Sequence, residues 1–336
     1  MIKKHLYSVF RKSNQEDKTK FKHVLTQNER NYPIDEQLLN KFFSSLTQKD
    51  LCFYPNTENL KKKICNYYNI ETDNLLLTPG SSFSLKTIFE SFEVKGNNII
   101  TSDYFFPMYQ VYSDLYEVEL RKAKYTNMKL DIDSIINLID SKTQFIMLAN
   151  PNSPLGDLYS RKDIIKLLET GIFVIIDEAY LEFTGEETSI PLIEEYTNLI
   201  VTKTFSKAYG AAGCRVGFLV SHTDNMKYLS KFRLMYEINT IGAKYVEFIF
   251  DNIEYYNKYI KDTFNFKEKA IVKLKERGYT IINTDCSWFY LKRFGKVDNL
   301  KTFNDAGMSF RTLTLPDGIE YIKFNYDLNL NNEIYR

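Results

Sequence analysis

The strongest constraint on this chain is a series of short, almost wholly apolar runs. They are "LLLTPG" (75–80), "NNIITSD" (97–103), "TQFIMLANPN" (143–152), "GIFVIIDEAY" (171–180), "NLIVTKT" (198–204) and "RVGFLVS" (215–221). Runs this short, without regular polar alternation, read as strands covered on both faces. Helical patterns separate most of them. "SSFSLKTIFESF" follows the first, and "RKDIIKLLETG" lies between the third and fourth, with Gly171 as its stop signal. This alternation predicts an α/β fold, a mainly parallel sheet flanked by helices.

The C-terminal third has another rhythm. "NKYIKDTFNFKEKAIVKLKERG" (257–278) is one long amphipathic helix pattern ending at Gly278. "YTIIN", "SWFYLKR", "SFRTLTLP" and "EYIKFNY" follow as strands with few helices between them, which predicts a smaller α+β domain. A chain of 336 residues has room for both. The expected division is an N-terminal arm over 1–44, a large domain over 45–240 and a small C-terminal domain over 241–336.

A formal charge of +1 argues against a nucleic-acid binder that relies on bulk charge. Cys52, Cys65, Cys214 and Cys286 fit no metal-ligand spacing, and reduced thiols in the cytoplasm are expected. The opening "MIKKHLYSVFRKSNQEDK" has no apolar core of signal-peptide length, and no run reaches transmembrane length, so no membrane partner is expected.

Open α/β sheets bind ligands at the carboxyl ends of their strands, and the polar residues of this chain gather there. "LLL" is followed by Thr78-Pro79-Gly80-Ser81-Ser82 and a helix, whose free amides suit a phosphate, although a turn with a helix cap explains the same letters. "FIMLA" is followed by "NPNSPLG". "FVII" ends in Asp177, then Glu178, Ala179 and Tyr180. A carboxylate at the end of an apolar strand is costly to bury unless it meets a cation. "LIVTKT" leads to Ser206 and Lys207, and Arg215 opens the next run.

Singly, Lys207 reads as a solvated loop lysine, Asp177 as a helix cap and Arg215 as a surface ion-pair partner. Jointly they match one cofactor. Pyridoxal phosphate needs a Schiff-base lysine, a carboxylate for its ring nitrogen, a phenol for its ring oxygen, and a phosphate cup of hydroxyls, amides and an arginine. Lys207, Asp177, Tyr180, and then Gly80, Ser81, Ser206 and Arg215, supply that list.

The chain resembles the fold-type I aminotransferases, and most of all the histidinol-phosphate aminotransferase family. The resemblance rests on "NPNSPLG" (150–156), "DEAYLEF" (177–183) and "TFSKAYGAAGCRVGF" (204–218). "LTQNERNYP", "CFYPN" (52–56), "YFFPMY" (104–109) and "MYEIN" (235–239) match more weakly, in the family's order, over about residues 25 to 330. The resemblance implies that Lys207 carries the cofactor, Asp177 pairs with the ring nitrogen and Tyr180 with the ring oxygen. It places Phe106 on the cofactor face, and Ser206, Arg215 and the amides of Ser81 and Ser82 on the phosphate. It implies a homodimer in which Tyr54 reaches the neighbour's cofactor phosphate, and it sets Tyr32 on the substrate side.

The departures are specific. Ser153 stands where the family usually has an asparagine aimed at the ring oxygen, with Asn152 as a candidate substitute. Ser82 replaces a frequent aspartate. Lys323, in "YIKFNY", falls at the family's carboxylate-clamping arginine, whereas Arg311, in "SFRTLTLP", matches an arginine that grips the substrate phosphate. The expected activity is transfer of an amino group, with glutamate as donor, to a small phosphorylated ketone. That ketone is either the histidinol-phosphate type or dihydroxyacetone phosphate, giving serinol phosphate. A decarboxylase of a phosphorylated amino acid is the alternative within the fold, and a non-catalytic scaffold the alternative of another class.

Overall fold

The computed structural model describes residues 3–10, 17–292, 305 and 307–325. Seven strands build the main sheet: β1 (Leu75–Thr78), β2 (Asn98–Ser102), β3 (Glu119–Ala123), β4 (Thr143–Ala149), β5 (Phe173–Asp177), β6 (Leu199–Thr204) and β7 (Gly217–Ser221). Their spatial order is β1-β7-β6-β5-β4-β2-β3. The pairs β6/β5, β5/β4, β4/β2 and β2/β3 are parallel, and β7 runs antiparallel to both β6 and β1. The expected apolar runs are thus all strands of this sheet. Residues such as Ile100, Ile146, Ile175, Val201 and Leu219 are inaccessible to solvent, because helices cover both faces.

The reversed strand matters for the site. Gly217 at the start of β7 pairs with Thr78 and Thr204, the last residues of β1 and β6. The amino end of β7 therefore lies at the carboxyl edge of its neighbours, and Arg215, two residues earlier, is delivered to the same edge as Ser206 and Lys207.

Two of the helices open on side-chain caps. Helix α1 (Ser81–Ser91) starts directly after Gly80. Helix α2 spans Met108–Tyr116. Helix α3 (Arg161–Leu168) opens with a capping box in which Ser160 and Asp163 satisfy each other's backbone amides. Helix α4 (Thr240–Asp251) is capped by Asn239, and α5 runs over Ile253–Glu276.

The C-terminal part forms a second, antiparallel sheet of β8 (Ile281–Ile282), β9 (Trp288–Lys292), β10 (Arg311–Thr314) and β11 (Glu320–Asn325), in the order β8-β9-β11-β10. The last residues of the small domain expected up to 336 lie outside the described residues. Lys267 of α5 is fully buried beneath this sheet and donates to the carbonyls of Thr284 and Cys286, both at 2.7 Å. The two parts meet at the "NPNSPLG" loop. The Pro154 carbonyl accepts from Trp288 Nε1 at 3.0 Å and from the Tyr290 hydroxyl, and the Gly156 carbonyl accepts from the Asp285 amide at 2.9 Å. The N-terminal segment joins them: His23–Val24 pairs in parallel with Met308–Ser309, and the chain then crosses to the edge of the main sheet.

Candidate active site

Asp177 is the last residue of β5 and is 4% exposed. Strand alternation turns its side chain to one face and that of Glu178 to the other. Glu178 joins a buried ionic cluster, with Lys203 Nζ at 3.0 Å from Glu178 and 2.9 Å from Glu182. Burial pulls the Lys203 ammonium down, but Glu182 and Glu178 outweigh it and hold it above the ordinary lysine range. Among the described residues, Asp177 has no such cation. Its Oδ1 accepts from the Thr202 hydroxyl at 3.1 Å and the Ala179 amide at 3.2 Å, and the Tyr109 phenol stands 3.5 Å from Oδ2. Burial pushes its carboxyl up to about 6, while the Thr202, Ala179 and Tyr109 donors pull against that rise.

The phosphate-sized cup lies at the start of α1. The first amides of a helix have no partner within it, and those of Ser81 and Ser82 occupy that position. Gly80 has φ +78°, and a Cβ there would stand 2.6 Å from Arg215 Nη2. A Cβ on Gly217 would stand 2.8 Å from the Ser81 nitrogen. Only glycine permits both approaches. Arg215 places Nη1 3.4 Å from Ser206 Oγ and 3.2 Å from the Ala212 carbonyl, with Nη2 3.4 Å from the Pro79 carbonyl. Gly80, Ser81, Ser82, Ser206 and Arg215 are thereby brought together around one guanidinium.

Lys207 is half-buried next to this cup. Its Nζ donates to the Gln27 carbonyl at 2.7 Å and lies 5.5 Å from the Tyr180 ring centre. Tyr180 follows β5, packs edge-on against Trp288 at 4.9 Å, and accepts at its hydroxyl from Asn28 Nδ2 at 3.1 Å. The N-terminal segment thus covers the lysine and the phenol together. Phe106 is half-buried and meets Tyr109 at 6.0 Å, on the side of the site where Tyr109 approaches Asp177.

Asn152 is buried and its side-chain amide is partnered within the protein. Its Nδ2 lies 2.8 Å from the Tyr104 carbonyl, 3.3 Å from the Tyr159 hydroxyl and 3.4 Å from Ser102 Oγ, and its Oδ1 accepts from the Leu155 amide at 2.9 Å. The amide is spent on holding the "NPNSPLG" loop. Ser153, one residue on, is half-buried.

The small sheet supplies two cations. Lys323 and Arg311 face each other across β11 and β10. Lys323 Nζ rests 3.7 Å from the Trp288 ring centre. Burial pushes this ammonium down to about 7, with repulsion from Lys207 and Arg311 in the same direction and the Cys286 thiol opposing it. The indole face compensates in part. Arg311 is exposed. The ring of Tyr32 stacks on Tyr259 of α5 at 6.4 Å, and its carbonyl accepts from Arg30 Nε. Tyr54 is 78% exposed and stacks on Tyr236 at 4.2 Å.

Thr202, Tyr109, Trp288, Gln27 and Asn28 also line the site; Gln27 and Asn28 lie in "LTQNERNYP" and Tyr109 in "YFFPMY", but the sequence alone marks none of the five for a role. Thr202 had a signal, since it is a polar residue inside an apolar strand beside Asp177. Tertiary contacts bring the others in beside Asp177, Tyr180 and Lys207.

Pyridoxal phosphate fits this arrangement on three observations: a buried carboxylate whose described partners are all neutral, a glycine-lined cup closed by a guanidinium, and a buried Asn28 Oδ1 without a hydrogen-bond partner. Fold and site together define a fold-type I pyridoxal-phosphate enzyme. The family model "Aminotransferase class I and II" matches residues 14–300. The chain belongs to that family and is a pyridoxal-phosphate-dependent aminotransferase. It is 31% identical to the histidinol-phosphate aminotransferase of Brachyspira hyodysenteriae over 80% of this chain and 76% of that one. It is 30% identical to that of Clostridium novyi over 84% and 75%. Among solved structures, the Sinorhizobium meliloti histidinol-phosphate aminotransferase in complex with pyridoxal-5'-phosphate superposes with TM-score 0.86 at 18% identity, over 99% of this chain and 95% of that one. The L-threonine-O-3-phosphate decarboxylase of Porphyromonas gingivalis superposes with TM-score 0.77 at 21% identity, over 93% and 97%. Among the described residues, no helix is long and apolar enough to cross a membrane.

Proposed function

We propose that this aminotransferase moves an amino group from an amino-acid donor, glutamate by chemistry, onto a small phosphorylated ketone. The observation that carries the reading is the cation pair of the small sheet. Arg311 is exposed, free of any described carboxylate, and pairs across the strands with Lys323, which stands on Trp288; the resemblance sets Lys323 where an arginine fork would grip a carboxylate in a fixed plane. The family relatives, named for a phosphorylated substrate, support the phosphate half of the reading.

When bound, the cofactor supplies an electron sink at the reacting carbon. The chain's residues do the rest. Asp177 would hold the ring nitrogen protonated, and Tyr180, with Ser153, would hold the ring oxygen. Ser81, Ser82, Ser206 and Arg215 would hold the phosphate, and Phe106 would lie against the ring. Lys207 would carry the cofactor and, with its amine free, would hold and move the substrate's proton. Trp288 and the Gln27–Asn28 segment exclude water. The large domain over 45–240 holds the cofactor, the small one over 241–336 holds the substrate, and the arm over 1–44 closes them.

A product-resolved assay against phosphorylated ketones, including dihydroxyacetone phosphate, and phospho-amino acids tests this. Transfer of the amine to a phosphorylated ketone is expected, and release of carbon dioxide instead would assign decarboxylation. Arg311→Ala should raise KM for the phosphorylated substrate by about 10- to 100-fold, the worth of a charge-assisted hydrogen bond. Lys323→Ala should weaken the amino-acid donor half-reaction more. Lys323 is cationic below about 7 and neutral above it. KM for the donor, whose carboxylates stay ionised, should therefore rise as pH climbs past 7, and Lys323→Arg should flatten that rise. Equal losses in both half-reactions from Lys323→Ala, or indifference to Arg311→Ala, would overturn the assignment.

The same reading includes a homodimer with Tyr54 acting in trans. Leu51, Phe53, Tyr54, Leu234, Met235 and Tyr236 are each at least half exposed, a patch suited to burial against a second copy. In equal mixtures, Tyr54→Phe and Lys207→Ala subunits should regain activity. Half the dimers are hybrids with one intact site of two, so about a quarter of wild-type activity is expected. No gain on mixing would place the whole site within one chain. All four cysteines are free thiols, which supports a reducing compartment such as the cytoplasm.

A further inference from the structure

Asn28 is 6% exposed and has φ +53°, a left-handed conformation that asparagine tolerates better than most residues. Its segment is held firmly on either side. The Leu25 amide donates to the Ser309 carbonyl at 3.0 Å, and Arg30 lies 3.8 Å above the Tyr259 ring while packing against Gly210. The strained residue is thus imposed by a fixed strut, and such strain gathers at functional positions. Within the strut, the Gln27 carbonyl takes Lys207 Nζ and Asn28 Nδ2 takes the Tyr180 hydroxyl oxygen. Asn28 Oδ1 is buried with no partner, so the protein alone leaves half of this amide unserved at the wall of the cofactor site.

A phenol has one proton and can accept as well as donate. Once Asn28 Nδ2 occupies an acceptor position of Tyr180, the phenol's proton is left to point elsewhere, into the site. The nearby Asn152 amide is already partnered, Nδ2 by the Tyr104 carbonyl and Oδ1 by the Leu155 amide.

We propose that Asn28 is a positioning residue of the transamination, acting through Tyr180: its amide N–H fixes the phenol as acceptor, so that the phenol's proton is directed at the cofactor ring oxygen. This rests on the proposed cofactor-binding role of Tyr180. The unpaired Oδ1 finds its partner in the bound molecule.

The test is spectroscopic. A donor aimed at the ring oxygen stabilises its anionic form and lowers the pH midpoint of the absorbance change of the lysine-bound cofactor. Asn28→Asp keeps size and left-handed tolerance but offers only acceptors, so the phenol's proton turns to it. The midpoint should rise by about one pH unit. Asn28→Gly, which relieves the backbone and removes the amide, should raise it likewise. Tyr180→Phe should shift it in the same direction, and adding Asn28→Asp to Tyr180→Phe should shift it no further, as coupled residues do in a double-mutant cycle. A wild-type midpoint in both Asn28 variants, with lowered thermal stability only, would leave Asn28 a backbone device and overturn the proposal. Additive shifts would also overturn it, by showing that Asn28 acts independently of Tyr180. A wild-type protein that forms no lysine-linked absorbance band would overturn the underlying reading and this inference with it.

Discussion

Lys207→Ala is expected to lower turnover by about 10³-fold or more while the cofactor's phosphate seat remains filled. The two effects separate because the structure separates the groups. The proposed seat comprises the Ser81 and Ser82 amides, Ser206 and Arg215, and Arg215 is held by Ser206, Ala212 and Pro79 with no described hydrogen bond to Lys207. Lys207 Nζ has a single described hydrogen bond, to the Gln27 carbonyl, so its loss disturbs little else. General acid–base catalysis by one positioned group contributes about 10²–10⁴-fold, and Lys207 is asked to supply both that and the covalent anchor. Borohydride should fix cofactor mass on the Lys207 peptide of the wild type and on no peptide of the variant, while both proteins retain cofactor through gel filtration. Turnover within tenfold of wild type would show that another group moves the proton.

The sequence discloses the main sheet because its strands are buried on both faces, and that burial writes itself as apolar runs. β3 (Glu119–Ala123) is the exception. It lies at the sheet edge, half of it in solvent, and "ELRKA" carries no apolar run. The reversal of β7 is also invisible in the letters, since a doubly covered strand looks alike in either direction. It nevertheless decides where Arg215 goes. The site shows the same division. Asp177, Lys207 and the residues after β1 are legible because each follows directly from a strand end. Asn28 and Tyr180 are separated by 152 positions, and Trp288 reaches Tyr180 from the other sheet. Such contacts follow from the way the arm and small sheet close on the main sheet, which local pattern does not encode. Asn152 shows the converse. Its place in a motif suggests a cofactor contact, but a buried amide must also satisfy its neighbours, and here Nδ2 donates to the Tyr104 carbonyl while Oδ1 accepts from the Leu155 amide.

Asp177→Asn is expected to lower turnover by at least about 10²-fold and, in the cofactor-free protein, to raise stability. The two directions have one cause. The carboxylate is fully buried among neutral donors, Thr202, Ala179 and Tyr109, and burial holds its folded pKa at about 6. The group's pKa is thus raised on folding. Its favourable contribution is fully present below about 4, where both states are protonated or nearly so, and is lost as pH rises through about 6. Above that the folded apoprotein carries an uncompensated charge. A two-unit displacement corresponds to about 1–3 kcal/mol once relaxation is allowed for. Asparagine keeps an acceptor for Thr202 and Ala179 and removes the charge. The variant's advantage should therefore be absent near pH 4, grow between 4 and 6, and level off above 6, as read by denaturant melts of apoprotein. Bound cofactor reverses the balance, because a protonated ring nitrogen is the cation that the site lacks. Its addition should stabilise the wild type more than the variant at neutral pH. A variant that is less stable at every pH and nearly fully active would make Asp177 a structural cap at the end of β5. The expected outcome instead identifies a carboxylate that costs the fold stability and is useful only when the cofactor ring is opposite it.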